Sequence, residues 1–321
     1  MRVQRRVAQL LLWCTVLYLA VSLVAGIVVA EFAVHPWRRP ILDYQRSQAH
    51  AIAERTRGSQ LEDAQVRAND GAVLRGWYIK PRDDNGNVVV LLHGVADNRL
   101  GMGGYAQFLL SRGYRILLPD SRAHGESGGD FASYGVKERD DVRDWISWLY
   151  EHDPPACVYG LGESMGAAIL IQAFAVESRF CAAVAESPFA GFSEIAYERV
   201  GQFVRLGPWF GRSVGRPLIG FARWYVRLRY GVDLMAADPE HAIRHATTPV
   251  LLIHGLADDN VLPLNSERLY AAAPKLAALW EVPGAQHTGV WAAHPEEFER
   301  RLVAWYESHP SPKALTPPRN P

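Results

Sequence analysis

Short apolar runs recur along the chain from residue 88 onward, and segments with helical spacing separate them. The runs are Val88–Leu92, Tyr114–Leu118, Cys157–Leu161, Cys181–Ala185, Val250–Ile253 and Leu279–Val282. Runs of this kind are typical of strands that are buried on both faces. Their alternation with helices predicts an α/β fold, in which helices cover both faces of a mostly parallel, twisted sheet.

The sequence before these runs predicts a different local structure. Leu61–Pro81 alternates between polar and apolar residues and contains the turn signal Asp70-Gly71. This pattern predicts an antiparallel hairpin at the start of the fold. We therefore expect an anchor at 1–30, a juxtamembrane linker with a polar helical stretch at 31–58, the main domain at 59–309, and a disordered, proline-rich tail at 310–321.

The N-terminal segment Val7–Ala30 has 24 residues without a charged side chain, and Arg2, Arg5 and Arg6 precede it. A bilayer-spanning helix needs about 20 apolar residues, whereas the apolar region of a cleaved signal peptide has about 7–15. We therefore favour a retained single-pass transmembrane helix over a removed signal. Basic residues flank both ends almost equally, and we expect the N-terminus inside and the main domain on the extracytoplasmic side.

The composition excludes some classes of function. Lys and Arg together number 34, as do Asp and Glu, so the formal net charge is zero and gives no basic footprint for nucleic acid. The cysteines are Cys14, Cys157 and Cys181, too few for a disulfide framework or a metal cluster. We expect Cys157 and Cys181 to be buried free thiols on neighbouring strands, with a disulfide as the alternative in an oxidising compartment.

The sequence Gly162-Glu163-Ser164-Met165-Gly166 has the form G-x-S-x-G between a predicted strand and a predicted helix. A strand, a sharp turn and a helix are the context that this motif requires to expose a nucleophilic serine. The turn is tight, so the two glycines are needed where a Cβ would crowd the backbone. We predict Ser164 as a catalytic nucleophile; the alternative is a serine that merely caps the helix.

A serine hydroxyl needs a base to take its proton, and histidine is the usual base. His287 follows the last predicted strand, and Asp258 follows the strand before it. Loops at the carboxyl edge of such a sheet converge, so Ser164, Asp258 and His287 can form a nucleophile–acid–base set in that chain order. Asp259 and Glu186 are alternatives for the acid.

Backbone amides must stabilise the oxyanion that forms during acyl transfer. The turn geometry favours the amide of Met165, and the loop after the first parallel strand favours the amide of Val95. His93 in that loop is expected to brace it rather than to act as a base.

The segment between the predicted strands at Cys181 and Val250 is longer than one crossover connection. Phe192–Arg244 is rich in aromatic residues and arginines, and we predict a helical cap at about 190–246 that serves as a lid. Contact of this cap with an anionic membrane surface is compatible with that function. The alternative is a solvated helix face.

The sequence resembles the α/β-hydrolase superfamily and, within it, membrane-anchored serine-aminopeptidase-like hydrolases of the lysophospholipase and esterase type. The stretches that carry the resemblance are Leu91–Gly94, Asp120–Ser127, Gly162–Gly166 and Ile253–Pro263, together with His287. The resemblance implies Ser164, Asp258 and His287 as the triad and Val95 and Met165 as oxyanion donors. It implies a structural function for Asp120 and His124. Leu262, between Val261 and Pro263, lengthens the loop after the acid by one residue relative to the family pattern.

These observations predict a membrane-anchored serine hydrolase that cleaves an ester or thioester through an acyl-enzyme, without a cofactor or metal. The expected partners are a small-molecule or lipid acyl substrate and the membrane. A serine peptidase or amidase of the same fold is the first alternative. A non-catalytic binding module is the second, since this fold also occurs without catalysis.

Overall fold

The computed structural model describes residues 2–56 and 58–310, with Pro208 described by its backbone only. The predicted disordered tail therefore lies outside the described residues, apart from its first residue. The chain divides into two compact units. The first, here called the anchor–cap unit, consists of Met1–His35 and Phe192–Ala236, and the second, the sheet unit, consists of Pro36–Gly191 and Ala237–Pro321.

The helices and strands follow one another in the order that the sequence pattern predicts. The helices are α1 Arg2–Val34, α2 Asp43–Arg55, α3 Gly103–Ser111, α4 Glu138–His152, α5 Met165–Ala173, α6 Phe192–Phe203, α7 Gly207–Arg212, α8 Arg216–Tyr230, α9 Pro239–Arg244, α10 Leu264–Ala272, α11 Val290–Ala293 and α12 Pro295–Glu307. The strands are β1 Gln60–Arg67, β2 Val73–Lys80, β3 Asn87–Leu92, β4 Arg115–Pro119, β5 Cys157–Glu163, β6 Phe180–Glu186, β7 Val250–Gly255 and β8 Ala277–Val282. Short 3₁₀ turns lie at Arg99–Met102 and Leu234–Ala236.

The sheet unit contains one eight-stranded sheet in the order β1-β2-β4-β3-β5-β6-β7-β8. β1 pairs antiparallel with β2, and β2 pairs antiparallel with β4. The pairs from β4 through β3 to β8 are all parallel. The predicted α/β-hydrolase architecture, with an N-terminal antiparallel hairpin before a parallel sheet, is therefore confirmed.

Two apolar cores lie on opposite faces of this sheet. Alternate residues of β3 belong to different cores: Val88 and Val90 pack with α4 and α5, whereas Val89 and Leu91 pack with α3 and α12. Val88–Leu92 are all buried, because side chains of successive strand residues point to opposite faces and helices cover both. The parallel strands thereby form a rigid support for the loops at their carboxyl ends.

The anchor–cap unit is formed by α1, α6, α7 and α8. Helix α1 is long and apolar enough to cross a membrane and continues to Val34, past the predicted end at residue 30. The segment Phe192–Ala236 of this unit lies within the range predicted for the cap, about 190–246, which stays a prediction. Helix α9 follows it and buries Ala242 and Ile243 within the sheet unit.

The two cysteines of the sheet unit form a disulfide, so the expectation of free thiols is wrong. Cys157 begins β5 and Cys181 lies on β6, with their Cα atoms 5.9 Å apart. The neighbouring parallel strands were predicted, and pairing of β5 with β6 places the two side chains within bonding reach. Cys14 on α1 is a free, exposed cysteine.

Candidate active site

The three residues predicted as a triad meet at the carboxyl edge of the parallel strands. Ser164 follows β5, Asp258 follows β7, and His287 lies in the loop after β8. His287 Nε2 is 2.9 Å from Ser164 Oγ, and His287 Nδ1 is 2.7 Å from Asp258 Oδ2. With the proton on Nδ1, the imidazole donates to the carboxylate and leaves Nε2 as an acceptor for the serine hydroxyl proton. The arrangement can thus activate a serine by general-base catalysis.

Ser164 occupies a strained turn between β5 and α5. Its backbone has φ 50° and ψ −113°, in a region that residues with a Cβ rarely adopt. A Cβ on Gly162 would come within 2.6 Å of the Ala167 amide nitrogen, and one on Gly166 within 2.2 Å of the Leu92 carbonyl oxygen. The serine side chain makes no capping hydrogen bond to α5. The turn therefore directs Ser164 Oγ to the imidazole instead.

Asp258 is buried and accepts hydrogen bonds at both carboxylate oxygens. Its Oδ1 accepts from the amides of Asn260 and Val261, each at 2.9 Å. Burial by itself raises the pKa of Asp258, but hydrogen bonds from His254, His287 and the Val261 amide outweigh it and hold the pKa well below its usual range. Asp258 is therefore ionised at neutral pH and can stabilise an imidazolium.

The two alternatives for the acid are placed differently. Asp259 is exposed, and the imidazole pairs with Asp258. Glu186 is buried at the end of β6, where its carboxylate contacts Tyr105 and the Val290 amide. The extra residue Leu262 does not displace Asp258 from His287.

His254 supports the acid, a function that the sequence did not reveal. Its Nε2 lies 2.8 Å from the Val261 carbonyl oxygen and 3.2 Å from Asp258 Oδ2, and its Nδ1 lies 2.6 Å from Ser266 Oγ. The ring is fully buried and contacts Oδ2, whereas the loop amides bind Oδ1. Its position in the His254-Gly255 pair at the end of β7 was the available signal.

Of the predicted oxyanion donors, Met165 directly follows the nucleophile and Val95 follows Gly94 in the loop after β3. A Cβ on Gly94 would lie 3.7 Å from Ser164 Cβ, so the loop after β3 runs beside the serine. Met165 is the first residue of α5, where helical amides have no intrahelical acceptor. Among the described residues, neither the Met165 nor the Val95 amide donates to a protein acceptor.

Buried polar residues hold the loop after β3 in place. His93 Nδ1 donates to the Gly94 carbonyl oxygen at 2.7 Å, and His93 Nε2 accepts from the Ser121 amide at 3.0 Å. Burial lowers the pKa of His93, so the ring is neutral. The buried pair of Arg99 with Asp120, at 2.8 Å, braces the chain that follows this loop. These contacts agree with a bracing function for His93.

A second buried cluster adjoins the nucleophile. Tyr105 Oη lies 2.7 Å from Glu163 Oε1 and 3.0 Å from Glu186 Oε2. Burial, followed by the charge of Glu186, raises the pKa of Glu163 to about 8. Burial also raises the pKa of Glu186, while the Val290 amide and Tyr105 donate to it. Since one hydroxyl has one hydrogen, we interpret the cluster as a chain in which protonated Glu163 donates to Tyr105 and Tyr105 donates to Glu186.

This cluster connects the parts of the triad. The Glu186 carbonyl oxygen accepts from the Ser164 amide at 2.8 Å, while its carboxylate binds the Val290 amide just after the His287 loop. The position of Glu186 therefore fixes both the nucleophile and the base.

The described part of the chain contains no grouping of three His, Cys, Asp or Glu side chains suited to binding a metal ion.

Comparisons with known proteins agree with this architecture. The model of the family described as "Alpha/beta hydrolase family" matches residues 89–301, which include the three triad positions. The chain belongs to this family. It is 31% identical over 244 residues to the uncharacterized protein YqkD of Bacillus subtilis, covering 74% of this chain and 76% of that protein. It is 24% identical to the uncharacterized peptidase YuxL of the same organism, covering 77% of this chain but 39% of the peptidase.

Solved structures with the same fold include an esterase and a peptidase. The Pyrococcus furiosus esterase Pf2001 superposes with a TM-score of 0.68 at 24% identity, covering 86% of this chain and 99% of the esterase. The Pyrococcus horikoshii acylaminoacyl peptidase gives a TM-score of 0.60 at 19% identity, covering 79% of this chain and 42% of the peptidase. At these identities the similarity defines the fold alone.

Proposed function

We propose that this protein is a membrane-anchored serine hydrolase that cleaves an ester or thioester through an acyl-enzyme. The observation that carries the proposal is the continuous hydrogen-bonded line from Ser164 Oγ through the His287 imidazole to the Asp258 carboxylate. Three side chains from distant parts of the sequence meet in the order and geometry that nucleophilic acyl transfer requires.

The proposed reaction has two stages. Ser164 Oγ attacks the substrate carbonyl carbon while His287 Nε2 accepts the hydroxyl proton, and ionised Asp258 stabilises the resulting imidazolium. The amides of Val95 and Met165 donate to the oxyanion, and collapse of the tetrahedral species expels the alcohol or thiol, which takes the proton from His287. Water, deprotonated by the same imidazole, then attacks the acyl-enzyme and releases the acid and free Ser164.

Two features support a membrane-anchored, extracytoplasmic location. Helix α1 supplies a candidate transmembrane anchor. The disulfide between Cys157 and Cys181 favours an oxidising compartment for the sheet unit, and hence its placement outside the cytoplasm. Anchoring beside lipids makes acyl lipids and acylated proteins accessible substrates.

Peptide or amide hydrolysis is the second candidate, favoured by the peptidases among the similar proteins. The same imidazole can protonate a leaving amine. Because the chain covers 39% and 42% of those two peptidases, we place ester and thioester cleavage first. A non-catalytic binding module agrees less well with a hydrogen-bonded triad.

Substrate panels test the proposal. The full-length protein in detergent is assayed on p-nitrophenyl esters of increasing acyl length, on matched thioesters, and on matched p-nitroanilides. We expect turnover of esters or thioesters that Ser164→Ala abolishes and that Ser121→Ala, a control in a different loop at the same sheet edge, retains. Turnover of the anilides alone would favour the peptidase, and turnover that persists in Ser164→Ala would refute the serine mechanism.

A further inference from the structure

Within the anchor–cap unit, α8 packs lengthwise against α1. A Cβ on Gly26 of α1 would lie 2.6 Å from the Leu218 carbonyl oxygen and 3.1 Å from the Ala222 amide nitrogen of α8. Such a close approach of two backbones is what small residues permit in helix pairs, including pairs in membranes. The glycine therefore fixes the level on α1 at which the two helices cross.

Polar contacts on either side of Gly26 set the direction of α8. Towards the C-terminal end of α1, Tyr225 and Tyr230 both donate to Glu31 Oε1, the latter at 2.8 Å. Towards the N-terminal end, the Tyr18 hydroxyl donates to the Val214 carbonyl oxygen. The two helices therefore run in the same direction. Tyr18 and Glu31 are thirteen residues apart in the sequence, about 20 Å along the helix axis.

The chain that precedes α8 carries exposed apolar side chains. Phe203 is 91% exposed and Trp209 is 70% exposed, and Leu206 and Val214 are also exposed. Arg205 and Arg212 lie among them, and Arg212 pairs with Glu194. We call residues 203–214 the apolar turn. Aromatic and aliphatic groups beside arginines are typical of segments that lie in the boundary between lipid headgroups and acyl chains.

The contact between Tyr18 and Val214 gives the apolar turn a depth relative to α1. A hydrocarbon core about 30 Å thick that begins at Val7 is crossed by about 20 residues and ends near Gly26. Tyr18 lies eight residues before Gly26, about 12 Å below that boundary. A bilayer that encloses α1 would therefore also surround the apolar turn.

From this geometry we infer that the apolar turn is inserted into the bilayer, in the leaflet nearer the C-terminal end of α1. Phe203, Leu206 and Trp209 contact acyl chains, and Arg212 stays paired with Glu194. The anchor is then not a bare tether, because α1 and the apolar turn form one membrane-embedded element. This inference rests on the membrane anchoring in the proposed function and does not depend on its chemistry.

Depth measurements on spin-labelled full-length protein test the inference. A nitroxide is attached to native Cys14, or to Leu206→Cys or Leu228→Cys in a Cys14→Ser background, without reductant. The protein is placed in vesicles of phosphatidylcholine and phosphatidylglycerol, and collisions with oxygen and a water-soluble nickel chelate are measured by EPR. We expect labels at 14 and 206 to favour oxygen and to exclude nickel at least several-fold more than the label at 228, near the upper end of α8.

The results distinguish insertion of the apolar turn from insertion of α1 in the membrane. A label at 206 that collides with nickel as often as the label at 228, while Cys14 excludes nickel, would refute insertion and leave the anchor intact. Exclusion of both reagents at 206 would indicate a protein partner and also refute insertion. Nickel access at Cys14 would refute the anchor together with the inference, whatever the hydrolase activity.

A matched pair of glycine variants tests the cause of the depth. Gly26→Ala places a methyl group against the α8 backbone, whereas Gly220→Ala meets no atom within 4 Å. In the protein labelled at 206, we expect Gly26→Ala to increase nickel collisions and Gly220→Ala to leave them unchanged. Equal depth in both variants would refute the claim that the α1–α8 contact holds the apolar turn in the bilayer.

Discussion

Replacing Glu163 with glutamine should change how the stability of the protein depends on pH. In the folded state the Glu163 pKa is raised to about 8, chiefly by burial and then by the charge of Glu186, from an ordinary value of 4.5. Burial and the charges of Glu186 and Glu163 also raise the pKa of Tyr105. Asp97 adds a further negative charge near Glu163. His254 and His287 face Glu186. Glutamine can still donate to Tyr105 but cannot ionise.

Proton linkage gives the direction in which the stability of the protein changes with pH. Between pH 4.5 and 8 the unfolded chain has lost the Glu163 proton and the folded protein retains it, so raising the pH favours unfolding. The contribution is fully present below pH 4.5 and is lost as the pH rises through about 8. It changes by about 1.4 kcal/mol per pH unit. From pH 5.5 to 7.5, the free energy of unfolding of Glu163→Gln should therefore rise by about 3 kcal/mol relative to that of the wild-type protein.

Urea unfolding of full-length protein in non-ionic detergent, followed by near-ultraviolet circular dichroism, measures this difference at each pH. Glu267→Gln, which removes a charge at an exposed site on α10, is the control. A difference between Glu163→Gln and wild type that stays constant from pH 5.5 to 7.5 would refute the assignment of a protonated Glu163. A stability advantage of Glu163→Gln that shrinks as the pH rises would show that the Glu163 pKa is lowered rather than raised in the folded protein.

Other changes give distinct results. Asp258→Asn should lower kcat on a soluble p-nitrophenyl ester by about 10⁴-fold, as loss of a triad acid does, while Asp259→Asn should change it by less than about threefold; a larger loss in Asp259→Asn would overturn the assignment of the acid. Cys157→Ser with Cys181→Ser should lower the free energy of unfolding by about 3 kcal/mol, because the disulfide closes a loop across a sequence separation of 24. Denaturant midpoints that match those of the oxidised wild-type protein would contradict that contribution.

The sequence predicted the parallel sheet well because its central strands are apolar and buried on both faces. Val88–Leu92 could hardly be placed except as a central strand, and β3 is Asn87–Leu92. The context of Ser164 was equally informative, since a turn between β5 and α5 needs glycine on both sides. Asp258 and His287 could be named because chain order and strand ends limit which side chains reach one edge of a parallel sheet.

Contacts between distant residues were beyond the reach of pattern reasoning. Tyr105 on α3 meets Glu163 and Glu186 only in the folded protein, and no local spacing relates these residues. The disulfide escaped prediction for the same reason. The pairing of the two strands was foreseeable, but the register that brings Cys157 to Cys181 depends on an irregularity after Val158.

The continuation of α1 also escaped prediction, for a different reason. Glu31 ends the uncharged run and suggested the end of the helix near residue 30. In the folded protein its carboxylate accepts hydrogen bonds from Tyr225 and Tyr230, nearly two hundred residues away, and the helix continues to Val34. A charge that ends a hydrophobic segment in the sequence thus serves here as a contact between helices.

The central claim is that Ser164 is the nucleophile, and covalent labelling tests it most directly. Full-length protein is treated with a fluorophosphonate, digested and analysed by peptide mass spectrometry, with His287→Ala and Ser121→Ala run in parallel. We expect one adduct, on the peptide that contains Ser164, retained in Ser121→Ala and strongly reduced in His287→Ala. An adduct on another serine, or labelling of Ser164 that is equally fast without His287, would contradict the assignment of Ser164 as the nucleophile.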